Sequence, residues 1–96
     1  MNKYEIMFIV KTTIEEDAIK KTVSDFKSII TDLKGEILEE KEMGQRKLAY
    51  PINKEVNGFY YVMVVNANGE IVSEFDRKAK INENIIRHLI IKLDEE

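Results

Sequence analysis

The stretch GFYYVMVVN, Gly58 to Asn66, decides the fold, because both of its alternating sets are apolar: Phe59, Tyr61, Met63 and Val65 on one parity, Tyr60, Val62 and Val64 on the other. A short run this rich in aromatic and β-branched residues reads as a buried strand with neighbours on both sides. On its N-terminal side, Asn53 to Asn57 reads as a polar loop, and Ile37 to about Ile52 as an extended segment interrupted near Gly44. These two extended runs are expected to form a hairpin. On its C-terminal side an Asn68-Gly69 turn leads into Ile71, Val72, Phe75 and Ala79 at helical spacing, ending near Lys80. A polar link, Asn82 to Asn84, precedes a last strand from Ile85 to Leu93. There Leu89, Ile91 and Leu93 share one parity, and His88, Ile90 and Lys92 the other.

The N-terminal third supplies the remaining two elements. Lys3 to Lys11 is a branched, apolar-rich run that suits a central strand. Its Tyr4, Ile6, Phe8 and Val10 form one face, and Glu5, Met7 and Ile9 the other, which is expected to point away from the helices. Thr13 followed by Glu16 makes a capping box, and Glu15, Glu16 and Asp17 complement a helix dipole. Ile19, Val23, Phe26, Ile30 and Leu33 then recur at steps of four and three, with Gly35 after Lys34 as the stop. The order strand, helix, strand, strand, helix, strand gives an α+β chain. Right-handed crossovers place both helices on one face of a four-stranded antiparallel sheet, the ferredoxin-like split βαβ arrangement (βαββαβ).

Composition bounds the function. With 96 residues and no repeat or low-complexity linker, residues 1–96 read as one domain, able to bury roughly 60 to 70% of its unfolded surface. The absence of cysteine and the single histidine exclude a disulfide framework, thiolate metal sites and multi-histidine centres, so no metal or cofactor is expected. No apolar stretch approaches the roughly 20 residues of a spanning helix, and the expectation is a soluble, cytoplasmic chain without a membrane partner. The net charge of −3 argues against coating nucleic acid by bulk attraction. Its distribution is uneven: Glu36, Glu39, Glu40 and Glu42 cluster against Lys41, and Asp94 to Glu96 form an acidic end, whereas Arg46, Lys47 and Lys54 stand unopposed. A second basic stretch, Arg77, Lys78, Lys80, Arg87 and Lys92, is diluted by Asp76 and Glu83. Any nucleic-acid contact must therefore be local and oriented.

The sheet face without helices is the candidate working surface. Monomers rarely expose an apolar patch above a few hundred Å², so apolar residues on both faces of the third strand imply cover from another chain. Sequence-specific reading of single-stranded RNA is excluded. The corresponding strand of an RNA recognition motif requires a basic opener, a small residue and a final aromatic, where this chain has Asn57, Tyr60 and Val64. An alternative class is a homodimeric ferredoxin-like ligand-binding domain or enzyme using the open sheet, with His88 as general base oriented by Glu5. No nucleophile motif, phosphate loop or His-Glu-x-x-His pattern supports it.

The segment GQRKLAYPI, Gly44 to Ile52, joins a glycine that permits a bulge, two adjacent cations and a proline that belongs on a sheet edge. Gly44, Arg46, Leu48, Ala49, Tyr50, Pro51 and Ile52 closely resemble the signature of the bacterial small-subunit ribosomal protein six family. The resemblance extends over the chain: Tyr4, Glu5 and the apolar run to Val10 at the start, Asn53 and Lys54 after the signature, and Asn84, Ile85, Ile86, Arg87 and Lys92 at the end. It implies the same ferredoxin-like fold, no enzymatic activity and no small-molecule substrate. It also implies a structural role in the small ribosomal subunit, bound to the central domain of the ribosomal RNA together with small-subunit ribosomal protein eighteen. On that reading Asn2, Lys3, Arg46, Lys47, Lys54, Arg87 and Lys92 would meet ribosomal phosphates and riboses. Met7, Ile9, Tyr60, Val62 and Ile90 would bury against the partner protein, and the acidic clusters would face away from the RNA.

Overall fold

The computed structural model describes residues 2–52 and 55–93, and their side chains except those of residues 49–52 and 55. Strands β1 (Asn2–Lys11), β2 (Glu36–Ile52), β3 (Glu55–Ala67) and β4 (Ile85–Lys92) alternate with helices α1 (Glu16–Asp32) and α2 (Gly69–Ile81) in the expected order. The strands form one sheet in the order β2-β3-β1-β4, with every pairing antiparallel. The ferredoxin-like βαββαβ arrangement is the observed fold.

Register determines which side chains meet the helices. Ile6 pairs with Met63 and Phe8 with Tyr61, so these residues share a face, and Ile6, Phe8, Val10, Tyr61, Met63 and Val65 are buried under α1 and α2. From the helices come Ile19, Phe26, Ile29 and Ile30 on one side and Ile71, Phe75 and Ala79 on the other. Four rings meet at the centre: Phe8 lies 5.7 Å from Phe26, 6.0 Å from Phe75 and 5.4 Å from Tyr61, while Phe26 and Phe75 meet edge to face at 5.2 Å. Such tilted contacts suit the ring quadrupoles and add to the area they bury.

The helix ends differ from the sequence expectation in instructive ways. The Thr13 capping box does not start α1. The helix begins at Glu16, and its cap Glu15 makes no side-chain capping hydrogen bond. Thr12, Thr13 and Ile14 are β-branched and poor helix formers, and Ile14 instead packs against the core from the connecting segment. At the other end Lys34, not Gly35, adopts the left-handed conformation, with φ 68°. The Lys34 N–H donates to the Thr31 carbonyl at 3.1 Å and the Gly35 N–H to that of Ile30 at 2.7 Å, a Schellman closure. Gly35 is needed for a different reason: a Cβ there would lie 2.8 Å from Ile30 Cγ2 and 3.0 Å from the Asn66 carbonyl. At the Asn68-Gly69 turn helix α2 is capped by Asn68, whose side chain accepts from the Ile71 N–H at 2.9 Å.

The β2-β3 hairpin carries the largest departures. Strand β3 starts at Glu55, so residues 55–57, expected in a loop, continue the ladder. Register breaks fall at Ile37/Glu39, Glu42/Gly44 and Lys47/Ile52, and Gly44 at the second has φ 80°. The last break leaves residues 48–51 outside regular pairing, and Leu48 is buried at 5% exposure. With Phe26 linking α1 to both Phe8 and Phe75, Phe26→Ala should cost roughly 3 to 5 kcal/mol through the cavity it opens. A urea midpoint close to wild type would contradict this packing.

Candidate functional site

The face of the sheet opposite the helices can be read row by row from the pairings. One end row holds Glu36, Asn66 and Lys3, and the next Glu39, Val64, Glu5 and Ile91. The middle row is Lys41, Val62, Met7 and Leu89. Then come Gly44, Tyr60, Ile9 and Arg87, and finally Arg46, Gly58 and Lys11. Among the described residues the open face is therefore graded along the strands: acidic with one lysine at one end, mostly apolar in the middle, and cationic without a carboxylate at the other.

The apolar part is smaller than residue types alone suggest, because one end is already covered. Ile9 is only 3% exposed although it faces away from the helices. Leu48 accounts for this: a Cβ on Gly58 would lie 2.3 Å from Ile9 Cγ2, 3.5 Å from Leu48 Cδ2 and 3.7 Å from the Tyr60 ring, so these groups close over the glycine as a small second cluster. Leu89 and Ile91 on β4 remain 46% and 45% exposed, and Met7, Tyr60, Val62 and Val64 are half-buried. Together these six form the apolar surface available to another molecule.

Of the partner-facing residues expected from sequence, Met7, Ile9, Tyr60 and Val62 lie on the open face, and Ile90 does not. Ile90 pairs with Ile6 and packs against the core beneath the helices. Its place is taken by Leu89 and Ile91, which sequence parity assigned to the other face. Both parities of β4 are apolar, so only the pairing with β1 separates them.

The expected phosphate-facing residues also divide. Arg46 and Arg87 lie on the open face near the same end, where the Arg46 Nε–H donates to the Met43 carbonyl at 3.3 Å. Lys11 shares that end and was missed, because a lysine closing a strand carries no signal of its own. Lys47 pairs with Asn57 on the helix-side parity of the hairpin arm. Asn2, Lys3 and Lys92 lie at the far end, since Asn2 pairs with Ala67, Lys3 with Asn66 and Lys92 with Tyr4. Lys3 and Lys11 stand eight residues apart on β1, roughly 26 Å at strand rise. Lys54 and the acidic residues Asp94 to Glu96 lie outside the described residues.

The helix side has a different electrostatic character. Lys27 meets Glu40 at 3.2 Å, Lys20 meets Glu16 at 3.6 Å, Lys21 meets Asp25 at 3.1 Å and Lys80 meets Asp76 at 2.9 Å, with Arg77 on Glu74 as well. Glu40 is held below the usual carboxylate range chiefly by Lys27. Next to it, burial and the Glu40 carboxylate push the Tyr61 phenol well above its ordinary value. His88 belongs to this side too: its Nε2 lies 2.7 Å from Asp76 Oδ1, tying β4 to α2. A carboxylate can only accept, so Nε2 carries the proton. Glu5 is on the opposite face, so it does not orient His88 as the enzymatic alternative expected.

The profile of the family described as ribosomal protein S6 matches residues 3–92. The chain belongs to the ribosomal protein S6 family. A crystal structure of 30S ribosomal protein S6 from Thermotoga maritima superposes with a TM-score of 0.90 at 31% identity, covering 96% of this chain and 87% of that one. Membership makes this S6 protein a structural, non-enzymatic component of the small ribosomal subunit in the cytoplasm, in contact with ribosomal RNA and subunit proteins.

Two outcomes test the local chemistry. Gly58→Ala should cost about 1 to 3 kcal/mol in urea unfolding, because Ile9 must leave its rotamer or β1 must shift. Asp76 is held below its ordinary value by His88 first and Lys80 second. Its contribution to stability is therefore present above the unfolded carboxylate value and lost as pH falls through the lower folded one. Asp76→Asn should flatten that part of the acid unfolding profile while leaving the part due to Glu40.

Proposed function

We propose that this S6 protein binds the central domain of small-subunit ribosomal RNA together with small-subunit ribosomal protein eighteen, using different parts of one sheet face for the two partners. The observation that carries the reading is the gradation of the open face. Met7, Tyr60, Val62, Leu89 and Ile91 give an apolar surface that a protein partner can bury, at about 25 cal/mol per Å². Beside it Arg46 and Arg87 give a cationic border suited to phosphate, which positions the pair on RNA without reading sequence. Ile9 contributes indirectly, as the floor on which Leu48 and Tyr60 rest.

The polarity of the face also gives the complex an orientation. Glu5, Glu36 and Glu39 repel a phosphate backbone, so RNA is expected at the Arg46 end and protein over the middle and the acidic end. A depression lined by Glu5, Glu39, Lys41, Val62 and Val64 lies within that protein half and offers a mixed apolar and acidic seat for a partner's basic or apolar side chain. Since few cations are involved and the net charge is −3, affinity for RNA alone is expected to be poor.

Binding of this protein to a central-domain RNA fragment, with and without small-subunit ribosomal protein eighteen, tests the reading directly. Tight, salt-sensitive binding is expected only when the partner is present. Arg46→Ala and Arg87→Ala should each weaken that ternary complex by about fivefold with little change in stability, because they remove exposed charges. Equal RNA retention by both variants at physiological salt would remove these residues from the interface.

A further inference from the structure

We propose that Lys11, Arg46 and Arg87 form one phosphate-binding row across the end of the open face, and that the RNA backbone crosses the strands there. The proposal rests on the RNA-binding reading above and adds a residue, a direction and an exclusion to it. Arg46 on β2 pairs with Gly58 on β3, which pairs with Lys11 on β1, and Arg87 on β4 pairs with Ile9, one row inward. These cations span the sheet from one edge to the other. Three strand spacings make that span about 14 Å. A backbone crossing the strands passes all three cations, whereas one running along a strand meets only one.

Among the described residues, the side chains between the cations place no negative charge in the row. Gly58 contributes none, Leu48 and Ile9 present only carbon there, and no carboxylate occurs in the two rows. The cations of the helix side contrast with this. Lys20, Lys21, Lys27, Arg77 and Lys80 each have a carboxylate within ion-pairing distance, whereas among the described residues neither Lys11 nor Arg46 has one. Those five helix-side charges are offset within the protein, whereas those of Lys11 and Arg46 have no carboxylate beside them among the described residues. Leu48 Cδ2 lies over Gly58, the residue between Arg46 and Lys11 in the row, so an apolar plug stands between the two cations. Lys3 and Lys92, at the far end with Glu36, Glu39 and Glu5 nearby on the open face, take no part.

The test is the salt dependence of binding to the central-domain RNA fragment in the presence of small-subunit ribosomal protein eighteen, comparing wild type with Lys11→Ala, Lys3→Ala and Lys92→Ala. Each phosphate contact contributes about 0.7 to 0.9 to the slope of log affinity against log salt. Lys11→Ala should lower the slope by about that amount, as Arg46→Ala does, while Lys3→Ala and Lys92→Ala leave it unchanged. Lys11→Glu should weaken binding further than Lys11→Ala. A Lys11→Ala slope equal to wild type, with Arg46→Ala still lowered, would overturn the row and leave the RNA-binding reading intact. A lowered slope for Lys3→Ala would overturn the crossing direction. Loss of partner binding by Lys11→Ala without RNA would assign the lysine to the protein interface and overturn the proposal. Failure of wild type to bind RNA with the partner present would overturn both readings together.

Discussion

Phe8 fixes the molecule. Its ring touches Phe26 from one helix, Phe75 from the other and Tyr61 from the neighbouring strand, so the docking of both helices and the pairing of the two central strands meet at one side chain. Because strand side chains alternate with a period of two, seating Phe8 under the helices also fixes the opposite orientation of Met7 and Ile9. A slip of one residue would exchange the two faces completely. The open face is thus specified from the other side of the sheet, by an aromatic contact buried beneath the helices.

From that constraint follows a division of chemistry. Carboxylates and amines on the helix side are largely paired with each other, and a histidine is used as a tie between β4 and α2. What the helices leave uncovered is partly apolar and graded from acidic to basic along the strands. An uncharged face of the same area could bury against a partner, but nothing would decide which way round. Here position along the strand carries that information, through residues such as Glu39 and Arg46 that contribute little to folding.

The architecture was legible in the sequence because each element has its own period and its own stop. The helical spacing of Ile19, Phe26 and Ile30 and the Asn68-Gly69 turn were sufficient to order the elements, and the segment from Gly44 to Ile52 was sufficient to suggest the family. The orientation of β1 was legible as well, since only one of its parities contains a charge. On β3 and β4 both parities are apolar, and periodicity then has nothing to choose between; Ile90 was assigned to the wrong face for that reason. Leu48 was beyond reach for another reason. Its burial depends on register breaks in the hairpin, which displace the chain by amounts that residue types do not encode. Lys11 and Arg87 are far apart in sequence and become neighbours only through the pairings of β1.

The broken register of β2 bears on what the edge of the sheet can recruit. A seventeen-residue strand at the margin of a sheet presents a row of unpaired N–H and C=O groups that any extended chain could join. Breaks at Ile37/Glu39 and Glu42/Gly44 interrupt the even spacing such an intruder would need, and Glu39, Glu40, Lys41 and Glu42 would place charge against it. The irregularities and charges of β2 therefore guard this edge against pairing with a stray extended chain.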